Sequence, residues 1–370
     1  METDATRVAD GLDGVVVAET ELSLVDGERG RLLVRGHDVE QLAAGAGFEA
    51  ACGLLWDGAL PDEAELGRLR SDLGAARARA HDELWRLGAA LEAPDGMDAL
   101  RAAAARLAED GASPRETALR LTGALAVFAA LWWRRCQGLP PLAPDAALGH
   151  AEDFLRLATG AAAQPARVRA LDAYLVTVAE HGMNASTFTA RVVASTLSDA
   201  VSAVVAALGA LKGPRHGGAL GPVLDMLDAI GEPSRARAWL AAELAAGRRI
   251  MGLGHRIYRV RDPRAAVLEA QVARLEDAGV ASHYLALARA VERAALELLA
   301  ERHPGRRLAT NVEFYTAVLL DAVGLPRALF TPTFATARVA GWLAHVAEQR
   351  AGGRIIRPAQ RYVGPAPRAA

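Results

Sequence analysis

The chain has 370 residues, with 42 Lys and Arg against 44 Asp and Glu, so its formal net charge at pH 7 is −2. That length holds two domains, or one large lobe with a smaller one, and the near-neutral balance gives no global electrostatic case for nucleic acid or an anionic membrane. The two cysteines, Cys52 and Cys136, are isolated and form neither a CxxC pair nor a disulfide ladder, which fits a reducing compartment.

Residues 1–11 are polar and acidic, do not read as a signal peptide, and together with 363–370 have the composition of disordered ends. Residues 12–38 are the one part that reads as strand, a small β hairpin whose turn chemistry sits at Asp26-Gly27 and Arg29-Gly30. Everything after Val39 reads as helix. Apolar residues recur at three- and four-residue spacing over 39–56, 62–78, 82–91, 97–109, 113–136, 148–159 and 166–180. The same spacing returns over 186–211, 217–230, 234–247, 263–277, 283–302, 312–323 and 333–350. The apolar run Leu121 to Trp133 falls short of the roughly 20 residues that span a bilayer and reads as a buried helix. A soluble, cytoplasmic protein is expected. Asp262 before Pro263 and Thr331 before Pro332 both predict an N-cap followed by proline at the first helical position. Gly324 and Pro326 predict the end of the helix that starts near Val312.

The chemistry-bearing residues lie where glycines interrupt these helices. His216, in GPRHGG, is bracketed by Pro214 and Gly217-Gly218. It reads either as a hydrogen-bond donor to a substrate oxygen that gains negative charge or as a solvent-facing turn histidine. His255 follows Gly252-Leu253-Gly254, and Arg248, Arg249, Arg256, Arg259, Arg261 and Arg264 surround it in sequence. This density reads as a site for an anion bearing phosphate or carboxylates, against the alternative of a solvated basic face. Glu313 stands in the first turn of an apolar helix and is the acid or base candidate, or an ordinary helix-dipole charge. His181 sits at the break HGMNAST, where Asn184 or Ser186 can cap the next helix. Arg338, on an otherwise apolar helix, requires an anionic partner. Arg357 lies on a tail poor in helix signals. His37, His81, His150, His283, His303 and His345 read as structural. No metal-ligand motif, Walker loop, strand-GxGxxG-helix unit or GxSxG elbow occurs.

The segments HGMNASTFTARVVASTLSD, GPRHGGAL, MGLGHRIYRVRDPRA, NVEFYTAVLLDAVGLP and RIIRPAQRYVG, in this order, resemble the citrate synthase family, including the 2-methylcitrate synthases. The resemblance implies an all-α, two-domain fold with a small domain over 220–324 and a large domain from 1–219 and 325–370. It implies a homodimer whose interdomain cleft closes on oxaloacetate and completes the acetyl-CoA site. It implies that His216 and His255 are the hydrogen-bond donors and Glu313 the base, where the better-known pattern has aspartate. His181, Arg264, Arg338 and Arg357 are implied as oxaloacetate ligands, Arg357 acting in the partner subunit's site. Arg248, Arg249, Gly252, Leu253, Gly254, Arg256 and Arg259 are implied to meet CoA. No cofactor or metal is implied, since the CoA thioester is a substrate. The implied activity is condensation of acetyl-CoA with oxaloacetate, a tricarboxylic acid cycle step; the alternatives are propionyl-CoA as substrate, or a non-catalytic paralogue that binds CoA esters or dicarboxylates.

Overall fold

The computed structural model describes residues 8–109, 111–217, 220–254, 257–302 and 309–365. After a 3-10 turn at Asp10–Leu12 comes a three-stranded antiparallel sheet in the order β1 (Ser23–Asp26), β2 (Arg31–Val34), β3 (His37–Asp38), with Ser23 opposite Val34 and Asp26 opposite Arg31. The hairpin expected over 12–38 is therefore shorter than its apolar stretch and carries a third strand, because Arg35 and Gly36 turn the chain back with positive φ.

The α-helices that follow are α1 (Val39–Gly45), α2 (Phe48–Asp57), α3 (Glu63–Asp82), α4 (Gly96–Ala104), α5 (Pro114–Cys136), α6 (His150–Thr159), α7 (Pro165–Ala179), α8 (Ala185–Ser195), α9 (Ala200–Leu211), α10 (Leu220–Ile230), α11 (Ala236–Ala245), α12 (Pro263–Asp277), α13 (Leu285–Arg302), α14 (Val312–Ala322) and α15 (Phe330–Gly352). The two 23-residue helices α5 and α15 pack against each other, and α15 also packs on α7, α8 and α9. Their buried faces include Phe128, Trp132, Phe330 and Trp342, so the run Leu121 to Trp133 is a core helix as its length predicts. Among the described residues no helix is long and apolar enough to cross a membrane.

Several helix boundaries differ from the periodicity. The span 39–56 is two helices, because Ala46 and Gly47 are extended and Gly47 precedes α2 as its N-cap. The span 186–211 is also two helices: Leu197 takes a left-handed conformation, and the Asp199 side chain accepts from Ser202 N to start α9. Residues 82–91 form 3-10 turns at Leu84–Leu87 and Ala90–Glu92 rather than an α-helix. Thr331 is not an N-cap: a 3-10 turn at Arg327–Leu329 runs straight into α15, so Pro332 lies within the first turn and Thr331 Oγ1 donates to Gly217 O instead, at 3.0 Å. Asp262 and Gly324 behave as expected, the first accepting from Arg264 N with Pro263 at N1 and the second ending α14 with φ +89.

Candidate active site

The turn between α7 and α8 carries His181, which is 6% exposed. Its shape is held from the far end of the chain. Ser23 Oγ on β1 donates to Glu180 Oε1 at 2.8 Å and accepts from Gly182 N at 3.1 Å. On the other side, His345 Nε2 lies 3.1 Å from Glu180 Oε1. Arg191 NH1, a donor only, lies 2.9 Å from His345 Nδ1, so that nitrogen accepts and Nε2–H donates to Glu180. Burial opposes ionisation of Glu180, but His345, Arg338 and Ser23 outweigh it and hold the carboxyl below its usual range. His181 itself pairs through Nε2 with the buried Tyr258 hydroxyl at 3.0 Å.

His216 lies past the end of α9, and its Nε2 is 2.9 Å from Ser186 Oγ in the first turn of α8. That hydroxyl is also 2.8 Å from Asn184 Oδ1 and accepts from Trp342 Nε1 at 3.1 Å. Asn184 Oδ1 already accepts the backbone N–H groups of Ser186 and Thr187 as the α8 cap. Asn184 Oδ1 can only accept, so Ser186 Oγ gives its single proton there and accepts from His216 Nε2–H. Burial, then the charges of Arg338 and Arg264, pull His216 down to about 4, so the ring is neutral at pH 7.

Between α11 and α12, residues 252–254 lie antiparallel to 309–311. Gly254 N donates to Ala309 O at 2.8 Å, Asn311 N to Gly252 O at 3.0 Å, and Asn311 Nδ2 to Gly254 O at 3.0 Å. Gly252 has φ +75, and a Cβ there would stand 2.7 Å from the Phe314 ring and 3.1 Å from its Cα, so only glycine fits between the loop and the start of α14. Thr310 Oγ1 and Tyr315 OH, which flank Glu313 in sequence, both donate to Glu292 on α13, and Arg261 Nε lies 3.0 Å from the same carboxylate. The sheet takes part here too. Gly27 O accepts from Arg259 N at 2.9 Å, and a Cβ on Gly27 would stand 2.3 Å from Ile257 O. One hairpin thus touches both the His181 turn and the segment leading to Arg264.

Glu313 is half-buried at the start of α14, and its Oε2 is shielded from solvent and has no hydrogen-bond partner among the described residues. Burial pushes its carboxyl above the usual range and the Arg264 charge partly restores it. Arg264, 3% exposed, is held by Asp262 at 2.7 and 3.0 Å. Arg338, 1% exposed, makes no ion pair within 4.0 Å among the described residues. Among the described residues its Nε donates to Val178 O at 2.6 Å, and its guanidinium lies 4.8 Å from the Phe334 ring centroid. Burial pulls it down to about 10, with the Glu180 charge opposing, so it remains a cation at neutral pH. Arg338 and Arg264 both act electrostatically on His216, and Arg264 acts on Glu313. The cluster is thus a neutral imidazole donor, a carboxylate with raised proton affinity and two buried guanidinium groups. These are groups with which a protein can hold a small dianion and move a proton beside it.

The fold does not gather every residue the sequence singles out. The arginines around 255 are largely taken: Arg248 is paired with Glu243, Arg261 with Glu269 and Glu292, and Arg264 with Asp262. Arg249 and Arg259 are exposed, the latter 4.0 Å from Glu28. Arg357 is exposed on the non-helical tail beyond α15. His255, Arg256 and His303 lie outside the described residues. Ser23, Glu180, Tyr258 and Trp342 carry no signal in the sequence and His345 reads there only as structural, because each acts through partners 77 to 165 residues away. Among the described residues no group of three or more His, Cys, Asp or Glu could hold a metal ion.

The profile of "Citrate synthase, C-terminal domain" matches residues 11–359. The 2-methylcitrate synthase of Mycobacterium tuberculosis (strain H37Rv) is 39% identical over 96% of this chain and 90% of its own length. The citrate synthase of Haloferax volcanii is 38% identical over 96% and 95%. Among solved structures, citrate synthase from Thermotoga maritima aligns with a TM-score of 0.86 at 35% identity over 98% of both chains. The ternary complex of carboxymethyl coenzyme A and oxaloacetate with citrate synthase from Thermoplasma acidophilum aligns with a TM-score of 0.88 at 29% identity, again over 98% of both. A helical fold and a match that runs almost end to end lead to one conclusion: this chain belongs to the citrate synthase family, and so to a family of transferase-type enzymes.

Proposed function

We propose that the protein condenses acetyl-CoA with oxaloacetate and water to give citrate and CoA. The observation that carries this reading is the buried cluster in which Glu313, raised in proton affinity, shares the field of Arg264 with a neutral His216. A thioester methyl is a very weak carbon acid, so a carboxylate abstracts its proton at a useful rate only if the forming enol oxygen is stabilised at the same moment. Glu313 takes the methyl proton and His216 gives its ring N–H to the thioester oxygen. The enol carbon then attacks the ketone of oxaloacetate, whose carboxylates are held by Arg264 and Arg338, with His181 as a further ligand. By the family resemblance His255 gives its proton to the ketone oxygen, and water then cleaves citryl-CoA to citrate and CoA. These donors belong to the chain, and no metal or cofactor enters the scheme.

Residues 220–324 form the smaller body that closes over the substrates in this scheme, with Arg248, Arg249, Gly252, Leu253, Gly254, Arg256 and Arg259 meeting CoA. Arg357 completes the oxaloacetate site of a second copy in a homodimer, which suits its exposed place on the tail. The bacterial and archaeal relatives fit a cytoplasmic reaction. Relatives of both acyl preferences match at 39% and 38% identity, so propionyl-CoA is the second substrate to test. One methylene in a pocket is worth roughly 10- to 200-fold in kcat/KM. With both thioesters in equal concentration, mass analysis of the product is expected to show mainly citrate. Mainly 2-methylcitrate would replace this reading by the propionyl-CoA one.

A further inference from the structure

The helix that carries Glu313 starts without the usual side-chain cap. Asn311 occupies the N-cap position of α14 but makes no cap hydrogen bond, and its Nδ2 goes instead to Gly254 O at 3.0 Å. Local chemistry therefore does not fix the first turn of α14. A tertiary anchor takes the place of the cap. Thr310, three residues before Glu313, and Tyr315, two residues after it, are both buried, and both hydroxyls donate to the carboxylate of Glu292 on α13. They use different oxygens: Thr310 Oγ1 reaches Oε1, and Tyr315 OH reaches Oε2 at 2.7 Å. Arg261 holds that carboxylate in place, with Nε 3.0 Å from Oε1 and NH2 3.2 Å from Oε2, and its guanidinium lies 5.3 Å from the Tyr315 ring centroid. Between the two anchored residues, Asn311 N donates to Gly252 O at 3.0 Å. Apolar side chains would join α13 to α14 at no desolvation cost, so a sequestered carboxylate is a poor device for stability alone. What its directed hydrogen bonds add is a defined register for the start of α14. A glutamate has one more rotatable bond than an aspartate, so the place of its carboxylate depends the more on where the helix begins.

We propose that Glu292 is a positioning residue for the base: by holding Thr310 and Tyr315 it sets where α14 begins, and so where the Glu313 carboxylate stands against the thioester methyl. This rests on the reading of Glu313 as the base of the condensation. In this role Glu292 meets neither substrate, and its contribution is to the chemical step rather than to the binding of oxaloacetate. A misplacement of about 1 Å costs on the order of 10²-fold in rate.

The test is Glu292→Met, which keeps the length of the side chain and removes both acceptors. Arg261 retains Glu269 at 2.7 Å, so no cation is left alone. The variant is expected to lower kcat about 10- to 100-fold and to leave KM for oxaloacetate within about threefold. Glu292→Gln keeps one acceptor oxygen, and so one of the two anchors, and its kcat should lie between that of Glu292→Met and the wild type. The discriminating measurement is Glu292→Met made in the Glu313→Gln background. With no base left to misplace, it should lower the residual rate by less than about threefold. Should Glu292→Met fail to fold, Glu292→Gln carries the same comparison. An equal loss in both backgrounds, or a kcat within about twofold of the wild type in the single variants, overturns the role of Glu292 and leaves the proposed function standing. A wild-type protein that releases no CoA from acetyl-CoA and oxaloacetate overturns both.

Discussion

Glu313→Gln is expected to leave the fold intact and to lower kcat by about 10²- to 10⁴-fold, the usual range for loss of a general base. The amide keeps the shape of the side chain, so the start of α14 and its clamp to residues 252–254 are undisturbed. What disappears is the basic oxygen, which burial gives a higher proton affinity than an ordinary carboxylate. The raised affinity also sets the sign of the pH dependence. Activity in the wild type should fall as pH drops through the raised pKa of Glu313, because the base becomes protonated, and the residual activity of the variant should lack that limb. Steady-state kinetics from pH 5 to 9 on both proteins check this, and a variant within threefold of the wild type shows that another group takes the proton. The same variant tests the shared site. Mixed with Arg357→Ala subunits, it should regain activity, since one site of the mixed dimer collects both lesions and the other neither. Absence of recovery despite demonstrated subunit exchange would remove Arg357 from the partner's site.

Arg77→Met is expected to give the largest loss of stability. Arg77 and Asp153 are both fully buried, with Nε 2.8 Å from Oδ2, and Arg77 NH2 donates to Leu148 O at 2.7 Å. Removing one partner of such a pair leaves a buried charge uncompensated, at a cost of about 3–5 kcal/mol. Asp153 keeps Arg156 on its other oxygen at 2.8 Å, which places the expected value near the lower end. Arg77→Met with Asp153→Leu removes both charges and should recover most of the loss. Urea unfolding of the three proteins measures it, and a single variant within 1 kcal/mol of the wild type would show that the pair contributes little.

The legible parts of the chain were those whose cause is local. Asp262-Pro263 and Gly324 are local backbone chemistry, so they marked the start of α12 and the end of α14 correctly. The histidines and Glu313 stood out because glycine and proline interrupt the helical periodicity around them. Thr331-Pro332 misled for the same local reason: the motif is sound, but a preceding 3-10 turn let α15 begin earlier. The break at Leu197 was hidden by apolar residues that continue the helical spacing, although Ser198-Asp199 is a capping signal. The cationic cluster around residue 255 looked freer than it is, since Glu243, Glu269 and Glu292 come from other turns and helices to pair with it. The support of His181 by Ser23 and His345 depends on tertiary contacts that no spacing encodes.

The central claim is that this cluster performs the condensation and does not merely bind its substrates. Release of CoA thiol from acetyl-CoA, followed with and without oxaloacetate and after treatment with EDTA, tests it most directly. Turnover is expected to require oxaloacetate and to be unaffected by EDTA. Tight binding of oxaloacetate without thiol release from acetyl-CoA or propionyl-CoA would make the protein a non-catalytic binding relative, and activity lost to EDTA and restored by a divalent ion would contradict the mechanism.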